Sequence, residues 1–485
     1  MLAVKIAVSV VLAVLYLGIV YQILVSNKNW ESKVFWILFV AVFPVLGAIV
    51  YSFGGIDYRR DHVRKRLHAK TMELFLRDTT PQMKEAFFQD GNLSGVKEFF
   101  RPLARLLLSA GEGNKVYGNN SYEIITAGQR KRELLEEDLR RARKFIHIEY
   151  YRFGADEAGR EVRDILFQKA AEGVEVRFIR NNMTNYFSIP DKYFREMEAH
   201  GIEVKRFTHI KHGLRNWVMR INHQNHRKIV VIDGKVAYTG GMNLNNNYFY
   251  KWRDTHMRIT GPVVARLQAS YIDTWLACGG RLSHPLPYYF PLETPQEEAP
   301  FKDKLLQIVT DAPEFRWPTM QLAYEWILQN AQDYVYIQTP YFMPPDGILE
   351  ALKSAALRGV DVRLMVPKRV DTLFIGPANQ AFYAECMEAG VRLMERDGEF
   401  LHAKTLVADD YLTIIGASNL DVRSFTLNNE VNTVVYDTET ALFCKDIFLR
   451  DTAETKELHL QEWLASRSFW RDLGSRAMRL LYKNL

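Results

Sequence analysis

Hydrophobic positions along the chain fall into two regimes. At the N-terminus they run unbroken. Ile6 to Val25 and Val34 to Phe53 are each 20 residues long and uncharged, with Ser9, Gln22 and Ser52 as their polar residues and Gly18, Pro44 and Gly47 inside. About 20 apolar residues in a helix span a bilayer core, and Pro and Gly are tolerated there. Tyr21, Trp30, Trp36 and Tyr51 lie near the ends, where amphipathic rings favour the interface. A two-helix membrane hairpin is predicted. A cleaved signal peptide fits less well, because the first run is too long and no small-x-small site precedes the second.

Beyond residue 114 the apolar positions come in short β-branched runs separated by helical, charged stretches. Phe145–Tyr151 reads as a buried strand and Glu133–Arg143 as a charged helix. The pattern then repeats. Strand Ile148–Phe153, helix Gly159–Ala171 and Gly173-Val174-Glu175-Val176-Arg177 answer to strand Ile337–Phe342, helix Pro345–Leu357 and Gly359-Val360-Asp361-Val362-Arg363. Alternating strands and helices predict α/β units and a largely parallel sheet. The predicted organisation is a hairpin over 1–57, a helical connector over 58–113 with Arg101–Ala110 amphipathic, and a first lobe over 114–280. A linker over 281–300, a second lobe over 301–453 and C-terminal helices over 454–485 follow. The first lobe carries an insertion of about 13 residues with Lys211, His212, Arg215, Trp217 and Arg220, readable as a lipid entrance or as a solvated loop. The C-terminal stretch mixes Trp463, Phe469 and Trp470 with Arg471, Arg476, Arg479 and Lys483. Packing against the core is its default reading and a membrane-surface contact the alternative.

Charge changes the picture only locally. With 63 basic and 57 acidic residues the net +6 does not by itself indicate nucleic acid. Arg59, Arg60, Arg64, Lys65, Arg66 and Lys70 cluster just after the second apolar run, however, so the positive-inside bias places the long C-terminal part in the cytoplasm, against anionic headgroups. Cys278, Cys386 and Cys444 are far apart and form no CxxC pair, as expected of buried thiols in a reducing compartment.

The chemistry sits in one duplicated block. His226-Arg227-Lys228 is followed by Asp233 and then Gly240-Gly241-Met242-Asn243. The same spacing returns as His402-Ala403-Lys404, Asp409 and Gly416-Ala417-Ser418-Asn419. Alternate residues on a strand share a face, so each His and its Lys point into one space. Two such faces brought together place two imidazoles and two ammonium groups around one anion, a site suited to a phosphodiester. The lysines supply fixed positive charge for the transition state, one imidazole serves as nucleophile, and the other protonates the leaving alkoxide. Asn243 and Asn419 are candidates for amide hydrogen bonds to phosphate oxygens. No histidine clustering of the HExxH kind suggests a metal, and no cofactor is implied.

The pattern resembles the paired HKD motif of the phospholipase D superfamily. With Asn419-Leu420-Asp421-Val422-Arg423-Ser424-Phe425 and Leu427-Asn428-Asn429-Glu430, it is similar to bacterial cardiolipin synthases. The resemblance implies an α/β fold of two duplicated phospholipase D-like lobes forming one catalytic unit behind the hairpin, in the bacterial inner membrane. It implies that phosphatidylglycerol is converted to cardiolipin and glycerol, with His226 as nucleophile and His402 as acid and base. Asp254 and Glu430, each 28 residues after a motif histidine, are implied as carboxylates that hold the imidazole of the opposite motif. Asp233 and Asp409 complete the motif set and are expected to support its loops rather than react. The chain departs from the usual pattern at Asn245-Asn246-Asn247-Tyr248, Asn429 and Asn181-Asn182, which puts donor and acceptor identity in doubt. A phospholipase D-type hydrolase, another phosphatidyltransferase, a nuclease and a non-enzymatic scaffold are the rivals. The hairpin and the absence of a strongly basic surface argue against a nuclease, and the intact HxK groups against a scaffold.

Overall fold

The structure, a computed structural model, describes residues 2–26, 30–54, 77, 79–81, 83, 91–111, 113–181, 189–207, 223–291, 298–372 and 375–484. The basic cluster Arg59–Lys70, most of the expected connector and the insertion from Lys211 to Arg220 lie outside the described residues. The first apolar run is the helix Leu2–Val25; the second is two helices, Trp30–Val42 and Pro44–Gly54. Proline has no N–H to donate and its ring crowds the preceding turn, so the helix breaks at Phe43. Gly47 packs where a Cβ would come within 2.8 Å of Val40 Cα. Among the described residues no helix is long and apolar enough to cross a membrane.

One fifteen-stranded sheet carries the rest. From edge to edge it runs Thr455–Leu458, Arg392–Arg396, Asp361–Pro367, Tyr334–Gln338, Thr405–Ala408, Leu412–Gly416, Glu430–Tyr436, Phe301–Asp311, and then Val116–Ile125, His256–Thr260, Val236–Gly240, Lys228–Ile232, Phe145–Tyr150, Glu175–Arg180, Glu203–Arg206. Read outward from the junction of Phe301–Asp311 with Val116–Ile125, the two halves repeat the same strand order. The lobes therefore fuse edge to edge by an antiparallel pair, Val116 opposite Gln307 and Tyr117 opposite Leu306.

The sheet is mixed, which corrects the expectation of a largely parallel one. Only the outer strands of each lobe pair in parallel, Phe145–Tyr150 with Glu175–Arg180 with Glu203–Arg206 and their counterparts. The middle of the sheet is antiparallel because each motif closes on itself as a hairpin, and hairpins pair only antiparallel. A second correction falls at the C-terminus. Thr455–Leu458 is an edge strand pinned to Arg392–Arg396 by the Arg392–Glu457 ion pair at 2.7 Å, and only beyond it do the helices Leu460–Ser466 and Phe469–Asn484 begin. The Pro-rich stretch between the lobes is also more than a tether. Leu286, Tyr289 and Phe290 are buried, and Tyr289 accepts a hydrogen bond from Arg177 at 3.1 Å. Cys386 and Cys444 are buried free thiols, and burial pushes both upward in pKa.

Helices cover both faces of the sheet. Glu157–Ala171 and Asp191–Ala199 pack Val162, Leu166, Phe194 and Met197 onto Ile146, Ile148 and Phe178. Val264–Ala277 packs Leu267, Tyr271 and Trp275 on the other side, in a cluster that continues across the junction to Leu306, Val431 and Phe448. A core shared by both lobes holds the two hairpins in fixed relation.

Asp233 and Asp409 belong to this framework. Each occupies the left-handed region (φ 53° and 48°) at the tip of its hairpin, followed by Gly234 at 67° and Asp410 at 48°. Two consecutive positive φ values give the turn whose twist suits a β-hairpin. The Asp233 carboxylate accepts from the backbone N–H groups of Arg143, Lys144 and Phe145 at 2.7–2.9 Å. Asp409 does the same for Gln332, Asp333 and Tyr334 at 2.9–3.1 Å. Both side chains are thus spent on backbone at the opposite end of the strand from the motif His and Lys, and the structure separates them from the reacting groups. Asp233→Ala or Asp409→Ala is expected to lower stability by about 1–2 kcal/mol, the range for losing a capping carboxylate. Activity per folded molecule should stay within about twofold. A denaturant midpoint measured beside specific activity checks this.

Candidate active site

The motif histidines meet across the seam between the lobes. Asn225 forms a backbone bridge with Asn429, and the Phe400–Leu401 strand pairs in parallel with Trp252–Arg253. The N–H of His226 donates to the carbonyl of Asn429 at 2.9 Å, and the N–H of His402 to that of Arg253 at 2.8 Å. Each histidine is thereby docked on the residue just before its carboxylate partner. Glu430 accepts from Nδ1 of His226 at 3.0 Å, and Asp254 lies 2.7 Å from Nδ1 of His402. The equal spacing of 28 residues thus reflects two equivalent docking contacts, each made with the other lobe. A carboxylate at Nδ1 fixes the tautomer and leaves the Nε2 lone pair for chemistry.

The lysines lie beside them and are buried. Lys228 Nζ donates to the carbonyl of His226 at 2.7 Å, and Lys404 Nζ donates to the carbonyl of His402 and sits 3.1 Å from its Nε2. His226 and His402 open on one cavity of about 310 Å³, whose wall also includes Tyr151, Arg152, Tyr248, Tyr341, Asp371, Asn419 and Arg423. Asn419 reaches this wall. Asn243 is buried beside it: its Oδ1 accepts the N–H of Arg152 at 3.0 Å, which holds the segment after Tyr151 in place, and its Nδ2 donor has no hydrogen-bond partner among the described residues. Asn181 and Asn429, two departures from the usual pattern, join a buried polar layer behind His226. Asn181 donates to Gln224 at 2.7 Å, Asn429 lies 2.7 Å from His223 Nε2, and Asn225 binds Glu149. Asn245 caps the short helix Asn246–Tyr250, and Asn246 accepts from Ala158 at 3.0 Å.

Several wall residues lie outside the motif spacing. Tyr151 packs edge-on against the His226 ring at 4.6 Å between centroids. Tyr248 and Trp252 pack against His402 at 5.1 and 5.4 Å. The aromatic rings restrict how each imidazole can tilt. Their only sequence signal is a tyrosine at the end of a strand and another after the first GGxN.

Burial governs the electrostatics. It holds both imidazoles well below their ordinary range, an effect reinforced by Lys228 and Lys404, so both are neutral at pH 7. Burial also lowers Lys404 to about 8 and pushes Glu430 up to about 7 and Asp254 up to about 6, the lysines opposing the last two. An arriving phosphodiester brings the negative charge that stabilises the ammonium groups and lets an imidazole take a proton. For the free enzyme, kcat/KM should therefore be bell-shaped. It should rise through about pH 6–7 as the carboxylates ionise and fall above about pH 8 as Lys404 deprotonates. Initial rates across that range test it, and a flat profile would contradict it. Among the described residues no group of three or more His, Cys, Asp or Glu side chains is arranged to hold a metal ion.

The family profile described as "Cardiolipin synthase, PLD-like domain" matches residues 135–275 and 325–452, more than half the chain and both HxK blocks. The chain belongs to the cardiolipin synthase family of phospholipase D-like proteins. A profile described as "Phospholipase_D-nuclease N-terminal" matches residues 11–55. A cardiolipin synthase of Halalkalibacterium halodurans is 31% identical over 476 residues, covering 97% of this chain and 92% of its own. The major cardiolipin synthase of Bacillus subtilis is 33% identical (94% and 93% covered), and one from Staphylococcus aureus 34% (92% and 89%). Among solved structures, the phosphatidylserine synthase of Haemophilus influenzae matches with a TM-score of 0.59 at 16% identity, over 80% of this chain and all of that one. That likeness concerns the fold, two lobes in one chain.

Proposed function

We propose that this protein is a phosphatidyltransferase that makes cardiolipin and glycerol from two molecules of phosphatidylglycerol. The observation that carries the reading is the crossed pair of histidine–carboxylate contacts opening on one cavity, in a chain similar over nearly its whole length to cardiolipin synthases. Nε2 of His226 attacks phosphorus, and the P–O bond to the headgroup glycerol breaks. His402, protonated at Nε2 as the anionic donor binds, gives that proton to the departing alkoxide and is left neutral. The terminal hydroxyl of a second phosphatidylglycerol then gives its proton to Nε2 of His402 and attacks phosphorus, and the P–N bond breaks. Lys228 and Lys404 balance the charge of the phosphoryl oxygens in both steps, with Asn419 on the cavity wall as a further donor.

The N-terminal helices are the proposed membrane hairpin. Leu15, Leu17, Tyr21, Leu24, Leu38, Val42, Val45 and Leu46 are large and exposed there, a band of apolar surface that a bilayer would cover. The catalytic lobes would then face the cytoplasm, on the side of the basic cluster Arg59–Lys70.

Lipid product analysis tests the function. Purified enzyme with phosphatidylglycerol in mixed micelles should yield cardiolipin and glycerol in equal amounts, with or without chelator. Phosphatidic acid without cardiolipin would instead establish a hydrolase.

A further inference from the structure

The two HxK faces are nearly symmetric, yet the reaction they serve is not. One lipid gives up its phosphatidyl group, and the other must present a hydroxyl while keeping its own phosphodiester intact. That second phosphodiester is an anion separated from the reacting phosphorus by only a glycerol backbone. In a cavity of about 310 Å³ the two phosphates are necessarily neighbours. The repulsion between them must be met by charge that the symmetric motif does not supply.

The cavity wall carries such charge, and it is where the internal symmetry fails. Phe153 and Phe342 occupy equivalent bridges, to Leu244 and to Leu420 respectively. Arg152, just before Phe153, is therefore the counterpart of Tyr341, which is neutral. Arg423, three residues after Leu420, is the counterpart of Asn247, which is neutral, exposed and away from the cavity. Both arginines line the cavity, one from each lobe, and both lie close enough to the half-buried Tyr151 phenol to act on it electrostatically. Tyr151 in turn packs on His226. Arg152 also weighs on both reactive imidazoles. Tyr341 donates its phenol to Asp371 at 2.5 Å on the same wall.

We infer that Arg152 and Arg423 form a second phosphate subsite, which holds the phosphodiester of the acceptor lipid while the motif lysines hold that of the donor. The inference rests on the transfer reading above and says how transfer is favoured over hydrolysis. An acceptor anchored by its phosphate places its terminal hydroxyl at phosphorus ahead of water. Guanidinium suits this task, since it binds phosphate through paired N–H groups and stays charged in a buried site.

The test sets charged against neutral acceptors. Full-length enzyme in micelles of phosphatidylglycerol is given excess glycerol labelled to report exchange into the lipid, and the ratio of cardiolipin formed to label incorporated is followed. Arg152→Met and Arg423→Met should each lower that ratio at least tenfold, in line with losing a charged hydrogen bond, with partial recovery in Arg423→Lys. If both products fall together, the arginines serve the donor phosphate and the inference is overturned. A second measurement needs no variant. Glycerol esterified as its methyl phosphodiester should act on the parent enzyme with a KM at least tenfold below that of free glycerol; equal KM values would also overturn it. Phosphatidic acid as the sole product under every condition would remove the transfer reading itself, and the subsite with it.

Discussion

His226→Ala is expected to reduce cardiolipin formation by roughly 10⁴-fold or more, the scale on which a covalent nucleophile contributes. It should leave no radiolabelled phosphatidyl adduct on the protein. His402→Ala should lose as much with phosphatidylglycerol, for a different reason. In the proposed mechanism the imidazole held by Asp254 supplies the proton to the departing glycerol, so replacing glycerol with nitrophenol, which leaves without a proton, should restore the first step alone. The adduct should then form on His226 and persist, since nothing remains to deprotonate the acceptor. Acid-quenched gels of both variants with that donor decide the assignment. An adduct in His226→Ala and none in His402→Ala would exchange the two roles.

Glu430→Gln should be the most informative change at the seam, because it moves activity and stability in opposite directions. The amide still fills the space beside His226 but no longer balances an imidazolium or favours the reactive tautomer. A loss of about 10³-fold in kcat is expected. Burial raises the Glu430 carboxyl to about 7, above its ordinary 4.5, so the folded protein holds that proton more tightly than the unfolded chain does. The group's contribution to stability is complete below about pH 4.5 and is lost as pH rises through 7. At pH 8 the buried ion is a net cost, and glutamine removes it, for a gain on the order of 2 kcal/mol. The difference in Tm between variant and parent should be largest near pH 8 and shrink toward pH 5. A variant less stable than its parent at pH 8 would mean that the Lys228–Glu430 attraction outweighs desolvation.

Much of this arrangement was legible before any coordinates. The strand–turn–strand form of each motif follows from β-branched residues flanked by Asp-Gly and Asp-Asp, and the turns are where those pairs sit. The pairing of His226 with Glu430 and of His402 with Asp254 was implied by family resemblance and a shared offset; the backbone bridges at Asn429 and Arg253 supply its physical basis. Strand direction was not legible, since apolar runs look alike whether their neighbours run parallel or antiparallel. Thr455–Leu458 was missed because four polar-mixed residues carry no strand signal; its place comes from the open edge at Arg392–Arg396. Tyr151 with Arg152, Tyr248, and Arg423 come from three separate stretches of chain and share a wall only after folding. The motif position of Asn243 does not show that its oxygen is committed to the backbone of Arg152; that contact fixes the amide and leaves only its Nδ2 as a donor.

The crossed ownership of the two dyads has a consequence for safety. A centre that breaks and makes phosphodiester bonds in lipids is a hazard if it works while damaged. Here, prying the halves apart withdraws the carboxylate from both imidazoles in one motion, so neither half retains a competent fragment. Thermal or proteolytic injury should therefore silence the enzyme outright before it could become a leaky lipase.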